Sequence, residues 1–590
     1  MTLDRPLVSS KPQADDPTTP TLANLRAAAL AIGAVPFVVH AFLALNGFFW
    51  QDDFVITYHA ASASPTDLAY LFHAHNGEHL APGCFVLAWL ITAIAPLNFA
   101  VAMVPLLAIQ AGASVLFWRV LVRCFGMRWA ILPGFAVYTF SPLILLPTLW
   151  WAYGVQLLPL LLAMSGALYA HVKYLQTQAP RQAVYAGLWL VAGLAFYEKA
   201  ALIPGLLVAV TMLLAPAGQA FAEARRYALL WLGYAVVLAG YIALYLTLTD
   251  PNSVPDDGHR HSEFLELVRR TVVDTLLPGL FGVPGGAGPG VSWLAPAPAV
   301  RVLTAVLALG VLAFGLVVGG RRAGLAWLLL AGYVGVDVVV LAATRLGLVG
   351  TVAGTDPRYI ADAVPVAALF GTFALLGARP RAGRIVAVLT VLIAVAATVS
   401  LIRLAPAAQA RHGRDYVATA TDALAKRPGI TVYDGGVPED IMIDWFAEDA
   451  RPSRVVGLLP GAPRFDEPTE ELYLLGDDGS PKPVRRLDAA VPGVPGAVAD
   501  CGYAVTEQPT VIRLTSGTLG KRVLRVGYYT AETGDGLIGA GDKVIPVRFE
   551  SGLHQLFVPV EGLLGSIEVR RSTPLAPVCV TDLQVGVPVG

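Results

Sequence analysis

Two adjacent carboxylates stand in the run Trp50-Gln51-Asp52-Asp53-Phe54, directly after the first long apolar stretch. An acid pair at the edge of a lipid-facing segment is costly unless it is solvated, paired or functional. A carboxylate set against a hydroxyl is a general base; Asp52 or Asp53 would be that base, Asp53 the first choice, with its partner orienting an acceptor or binding a cation. The competing reading is a helix stop wetted by headgroups. The same loop, 48–79, carries His59, Asp67, His73, His75, Asn76, Gly77, Glu78 and His79, which is four of the chain's ten histidines, and has no Lys or Arg. Histidines beside carboxylates suit acid–base work or metal binding. His75 and His79 are spaced i, i+4, but Gly77 weakens a helix there, and a polar loop without a ligand is the alternative. No metal is assigned.

Cations appear in two further places. Phe196-Tyr197-Glu198-Lys199-Ala200 sits between two apolar runs with no room for a long loop. Its Glu and Lys read either as an interfacial snorkelling pair or as groups lining a cavity. Asp356-Pro357-Arg358-Tyr359 precedes another apolar run. A guanidinium at that edge matches phosphate geometry, with headgroup anchoring the alternative. Trp150, Trp151 and Tyr153 form an aromatic cluster, read as an interface belt or as a platform for a sugar ring or isoprenoid. Asp337 falls in mid-span, where a helix cap, a polar contact and an ion path all remain open.

The elements that must position these residues follow from composition. Of 590 residues, 56% are hydrophobic and 14% charged, against roughly 25% charged in an average soluble domain; mean hydropathy is +0.62. A plain soluble enzyme, a disordered chain and a coiled coil are excluded. A net charge of −1 argues against a nucleic-acid partner. Apolar runs at about 27–47, 98–118, 129–147, 155–172, 183–197, 200–215, 227–247, 299–318, 323–344, 361–377 and 385–404 are near the length of a membrane-crossing helix. The stretch at about 80–96 is short and opens with Pro82-Gly83. If it does not cross, Arg119/Arg123/Arg128, Lys173/Arg181, Arg225/Arg226, Arg321/Arg322 and Arg379/Arg381/Arg384 all fall on one face with Arg5, Lys11 and Arg26. The positive-inside rule makes that face cytoplasmic. The expectation is a plasma-membrane, multi-pass protein of about 11 transmembrane helices plus juxtamembrane helices. Its N-terminus lies inside, without a secretory-signal pattern, and the acid pair, Glu198, Lys199 and Arg358 lie outside. The outer loop at about 248–298 holds an amphipathic piece, Glu263 to Leu277, with Arg269 and Arg270.

From about 405 the composition becomes that of a water-soluble domain. Residues 413–426 read as helix and Ile430–Tyr433 as strand. Short alternating runs after 500, separated by Gly-rich turns, predict an antiparallel β-sandwich. Four regions are expected: a cytoplasmic tail (1–26), a transmembrane domain (27–404), an extracytoplasmic α/β connecting region (405–499) and an extracytoplasmic β-sandwich (500–590). Cys501 and Cys579 lie near the ends of the sandwich; a disulfide between them would close about 78 residues and contribute roughly 4 kcal/mol.

These residues carry a resemblance. A first span followed by an outer acidic pair is similar to the GT-C superfamily of membrane glycosyltransferases. Phe196-Tyr197-Glu198-Lys199-Ala200-Ala201-Leu202-Ile203-Pro204 resembles the charged hairpin followed by Leu-Pro of the protein-mannosyltransferase-like branch, with Glu and Lys in reversed order. Arg358-Tyr359 before an Ala/Pro-rich span resembles the Arg-Tyr element late in many GT-C cores. His75-Asn76-Gly77-Glu78-His79 stands where many mannosyltransferases have His-Pro-Pro. The C-terminal domain resembles the carbohydrate-binding modules of actinobacterial arabinofuranosyltransferases, with Tyr528, Tyr529 and His554 as sugar-contact candidates and core packing as the alternative. The resemblance covers about 27–404 and implies transfer of a sugar, with inversion, from a polyprenyl-phosphate donor to a cell-envelope glycan, glycolipid or protein on the outer face. In that scheme Asp52 or Asp53 is the base. Arg358, then Lys199, Arg269 and Arg270, bind the donor phosphate. Glu78, His79, Glu198, Tyr359, Trp150 and Tyr153 contact substrate. Some relatives hold Mg2+ or Mn2+ and others none, so a divalent ion on the two carboxylates and His79 stays open. The rival readings are a flippase of lipid-linked sugars and a non-catalytic scaffold for the β-domain.

Overall fold

The computed structural model describes residues 22–64, 66–74, 79–249, 261–287, 293–376, 380–574 and 576–590. The predicted cytoplasmic tail falls mostly outside them, and His75, Asn76, Gly77 and Glu78 fall outside them entirely. The chain divides into two compact units, Met1–Arg411 and His412–Gly590.

The first unit is helical and membrane-spanning. Six helices among the described residues are long and apolar enough to cross a bilayer: Leu22–Leu45, Phe99–Phe125, Trp151–Thr177, Ala228–Leu248, Pro298–Val349 and Pro380–Ala408. Seven of the eleven predicted crossings lie in these six. The other four lie in shorter helices, among them Pro180–Leu194, Ile203–Leu214 and Ala363–Leu375. The helix Pro82–Ile94 has 13 residues, about 20 Å of length, which is short of the ~30 Å hydrocarbon core. The Trp151–Thr177 helix forms the centre, with 83% of its most apolar window buried; Ala228–Leu248 buries one residue, Tyr234.

Two predicted spans, 299–318 and 323–344, belong to one 52-residue helical run broken at Gly320, whose φ of 54° and ψ of −133° leave the helix. The two arms fold back on each other there: a Cβ placed on Gly315 would sit 2.9 Å from Nε1 of Trp327. Only glycine takes that backbone conformation at little cost.

The second unit opens with the helix Arg411–Lys426, which begins at the division itself. Thirteen strands follow: β1 (Thr431–Val432), β2 (Arg464–Phe465), β3 (Leu472–Leu475), β4 (Pro481–Pro483), β5 (Arg486–Pro492), β6 (Tyr503–Val505), β7 (Thr510–Leu519), β8 (Arg522–Thr530), β9 (Gly534–Ala540), β10 (Lys543–Phe549), β11 (Gly552–Val560), β12 (Leu563–Arg571) and β13 (Val578–Val589). A small mixed sheet runs β2-β1-β3-β4. Two antiparallel sheets, β11-β8-β13-β5 with β6 also on β13, and β10-β9-β12-β7, face each other. Alternate inward residues of both, among them Val526, Ile538, Phe549, Val558, Ile567 and Val585, pack into one apolar core. That is a β-sandwich, and β5, from the predicted connecting region, completes one of its sheets. Cys501 and Cys579 are bonded, their Cα atoms 4.7 Å apart.

Candidate functional site

The chain enters the site through a turn that no propensity favours. Gln51 is fully buried and holds φ at 53°, a conformation costing a non-glycine residue about 1 kcal/mol or more. The turn starts the helix Asp52–Ser62 with both acids in its first turn, where the helix dipole favours negative charge. Asp53 is fully buried. Its Oδ2 accepts from the Trp50 amide at 2.9 Å and its Oδ1 from the Ala152 amide at 2.7 Å. Ala152 lies in the first turn of the Trp151–Thr177 helix, so Asp53 supplies an acceptor to an amide that its own helix leaves unbonded. Burial, then the charge of Asp52, holds the Asp53 carboxyl well above the ordinary carboxylate range, against the pull of those two amides. Asp52 is half-buried.

Trp150 bridges the acids to the arginine. Its Nε1–H donates to the Trp50 carbonyl at 3.2 Å, and the two indoles lie 5.3 Å apart. The Arg358 guanidinium lies over the Trp150 ring, 4.6 Å from its centroid. Arg358 is anchored by Asp356, through Nε at 2.7 Å and an Nη at 2.6 Å, and its carbonyl accepts from the Tyr153 hydroxyl. Burial weakens the hold of Arg358 on its proton, but Asp356 and, further off, Asp52 more than restore it. The Tyr359 ring has two guanidinium neighbours, Arg358 at 5.6 Å and Arg345 at 5.9 Å.

The predicted Glu-Lys tip splits between two roles. Glu198 bonds His79 (Oε1 to Nδ1, 2.8 Å), and Arg345 reaches the other ring nitrogen at 2.9 Å. A guanidinium only donates, so Nε2 is the acceptor and Nδ1 carries the proton given to Glu198. Burial pushes the Glu198 carboxyl up and the contact with His79 outweighs it, leaving it below its ordinary range. Lys199 points inward: its Nζ is 2.5 Å from Asp337, 2.9 Å from Asp362 and 2.6 Å from the Tyr359 carbonyl.

The structure thus joins Asp52, Asp53, Trp150, Tyr153, Arg358, Tyr359, Lys199, His79 and Glu198 in one connected set. Arg269 and Arg270 stand in a neighbouring network. Both bond Glu266 and hold its carboxyl down to about 2; Arg269 also pairs with Asp274, which Arg301 shares. That network abuts the segment before Arg358, since a Cβ on Gly354 would meet the Arg270 Cβ at 2.8 Å. Glu78 lies outside the described residues. Among the described residues no three His, Cys, Asp or Glu side chains form a group that could hold a metal. Sequence reasoning named Asp356 beside Arg358 without a role, and missed Arg345, Asp362 and Tyr333, whose hydroxyl donates to Asp362 at 2.7 Å. Arg345, a cation at the outer edge of a predicted span, was the available signal.

In the β-sandwich Tyr528 is buried, with its hydroxyl accepting from the Glu550 amide at 2.9 Å and its ring 5.0 Å from Phe549. Tyr529 is exposed, and His554 pairs with Glu470 at 2.9 Å.

No family model matches the chain, and no curated protein matches it in sequence. Solved structures similar to it include the arabinofuranosyltransferase AftD from Mycobacteria, at 12% identity and a TM-score of 0.43 over 97% of this chain and 59% of that one. ArnT from Cupriavidus metallidurans bound to undecaprenyl phosphate is similar at 12% identity and a TM-score of 0.44, over 76% of this chain and 93% of that one. The arabinosyltransferase EmbB from Mycobacterium smegmatis is similar at 13% identity and a TM-score of 0.30, over 99% of this chain and 66% of that one. The chain spans 59% of the length of AftD.

Proposed function

We propose that this multi-pass membrane protein is a glycosyltransferase that moves a sugar from a polyprenyl-phosphate donor to a hydroxyl of a cell-envelope glycan, glycolipid or protein, at the outer face of the plasma membrane. The observation that carries the reading is the junction at Trp150: its indole N–H bonds the Trp50 carbonyl, two residues before the acid pair, and its ring lies under a guanidinium held by Asp356. A displacement at an anomeric carbon needs these two groups. A base removes the acceptor proton as the new C–O bond forms, and a cation meets the phosphate that leaves with the old bond's electron pair. The sugar inverts.

Within the pair we assign the base to Asp52. Asp53 is fully buried with both oxygens on backbone amides, which seats the turn and leaves no face for an acceptor. Arg358 takes the phosphate, and Trp150, Tyr153 and Tyr359 flank it for sugar or lipid. Glu198 and His79 bind sugar hydroxyls. Arg269 and Arg270 support the segment that carries Arg358. A divalent Mg2+ or Mn2+ would need Glu78 or the substrate to complete its ligands, because Asp52, Asp53 and His79 do not form a metal-holding group. Tyr529 is the sandwich residue available to a glycan.

The test is transfer by the purified chain in detergent, with radiolabelled decaprenyl-phosphate pentose and hexose donors and cell-wall oligosaccharide acceptors. Transfer by wild type, lost in Asp52→Asn with the fold intact, supports the reading. Transfer unaffected by Asp52→Asn and Asp53→Asn removes the acid-pair mechanism.

A further inference from the structure

Lys199 donates to Asp362 and to the backbone carbonyl of Tyr359, and its ammonium also forms an ion pair with Asp337. Lys199 is 8% exposed, Asp337 0% and Asp362 1%. The ammonium is buried between two carboxylates, whose charge repels an incoming phosphate. It ties three segments that lie far apart in sequence: the tip after Pro180–Leu194, the Pro298–Val349 helix through Asp337, and the 356–362 segment through Asp362 and Tyr359. Tyr333, from the same long helix, closes the other oxygen of Asp362. The carbonyl that Lys199 grips follows Arg358 directly in the chain, and the Tyr359 ring stacks against that guanidinium.

We infer that Lys199 is a positioning residue which, with Asp337, Asp362 and Tyr333, locks the Pro357–Tyr359 turn and so aims the Arg358 guanidinium; it does not itself bind the donor phosphate. The inference rests on the glycosyl-transfer reading only for what Arg358 then holds. A guanidinium recognises a phosphate by directed, paired hydrogen bonds, so a turn free to rock loses that alignment even with Arg358 present.

Removing Lys199 alone strands two buried carboxylates, and that variant risks misfolding. K199M/D337N removes one cation and one anion, and leaves the cluster's formal charge as it was. Two measurements on the full-length chain in detergent test the inference. The first is amide hydrogen exchange over residues 354–362: K199M/D337N should speed exchange there by about tenfold or more while the Trp151–Thr177 helix keeps its protection. Unchanged exchange over 354–362 overturns the lock. The second is decaprenyl phosphate binding by wild type, K199M/D337N, R358Q and the triple variant. Each of the first two variants should weaken binding by about tenfold, and the triple variant should be no weaker than R358Q. Losses that multiply show Lys199 touching the phosphate and overturn the inference. If wild type does not bind decaprenyl phosphate, the transfer reading fails and the exchange measurement alone decides whether Lys199 locks the turn.

Discussion

The two units treat buried charge in opposite ways. In the transmembrane unit Asp53, Lys199, Asp337, Asp356 and Asp362 are all buried, and their hydrogen bonds and ion pairs lead to one turn and to the backbone beside one indole. In the second unit the sandwich core is apolar, and the buried Arg571 is given to chain closure: it bonds the Thr530 hydroxyl and the Glu532 and Ala576 carbonyls. A buried charge that only closes a loop serves the fold. Lys199, Asp337, Asp356 and Asp362, gathered about the turn that carries Arg358, are costly for a fold that lipid-facing apolar surface already supports, which is why the proposed transfer site is placed in the first unit.

The sharpest way to break that contrast is Asp52→Asn. It should lower transfer by on the order of 10^4-fold, about 5 kcal/mol of barrier, with no change in thermal unfolding of the purified chain. Asp53→Asn should differ by lowering stability as well, by about 1–3 kcal/mol, since an amide NH2 cannot accept from both backbone amides. If the two variants behave alike in unfolding, the division of labour fails. The mirror experiment is Cys501→Ser with Cys579→Ser, which should destabilise the second unit by roughly 4 kcal/mol in denaturant titrations under oxidising conditions and leave transfer intact. Arg358→Gln should lower transfer by about 10^2-fold, near 3 kcal/mol, read as initial rates at saturating acceptor. The smallest effect is Tyr528→Phe: losing one buried hydrogen bond to the Glu550 amide should cost about 1 kcal/mol of sandwich stability and leave glycan affinity unchanged, because the ring is core.

Much of this contrast was legible in the sequence, unevenly. Composition and apolar run lengths predicted a polytopic helical protein, and alternation with Gly-rich turns predicted the sandwich, because both signals are local and periodic. The pairing of Lys199 was hidden. Its partners lie 163 residues away at Asp362 and in mid-span at Asp337, and no spacing rule connects a hairpin tip to two distant helices. Which acid faces out was hidden for a related reason: Asp53 is selected by the Ala152 amide, 99 residues on. At Tyr528 the ladder shifts register between Gly527 and Tyr528 against β13, so simple alternation could not assign a face to that ring.

The break at Gly320 has a consequence for how the chain is made. A straight run of 52 residues would extend about 78 Å, more than twice the hydrocarbon thickness. The insertion machinery therefore meets one nearly continuous apolar segment and must release it as a hairpin. The instruction to reverse is a single glycine followed by Arg321 and Arg322. A side chain there that favours continued helix would let the segment thread through as one crossing. Asp337 would then leave the arm that folds back, and its contact with Lys199 would be lost.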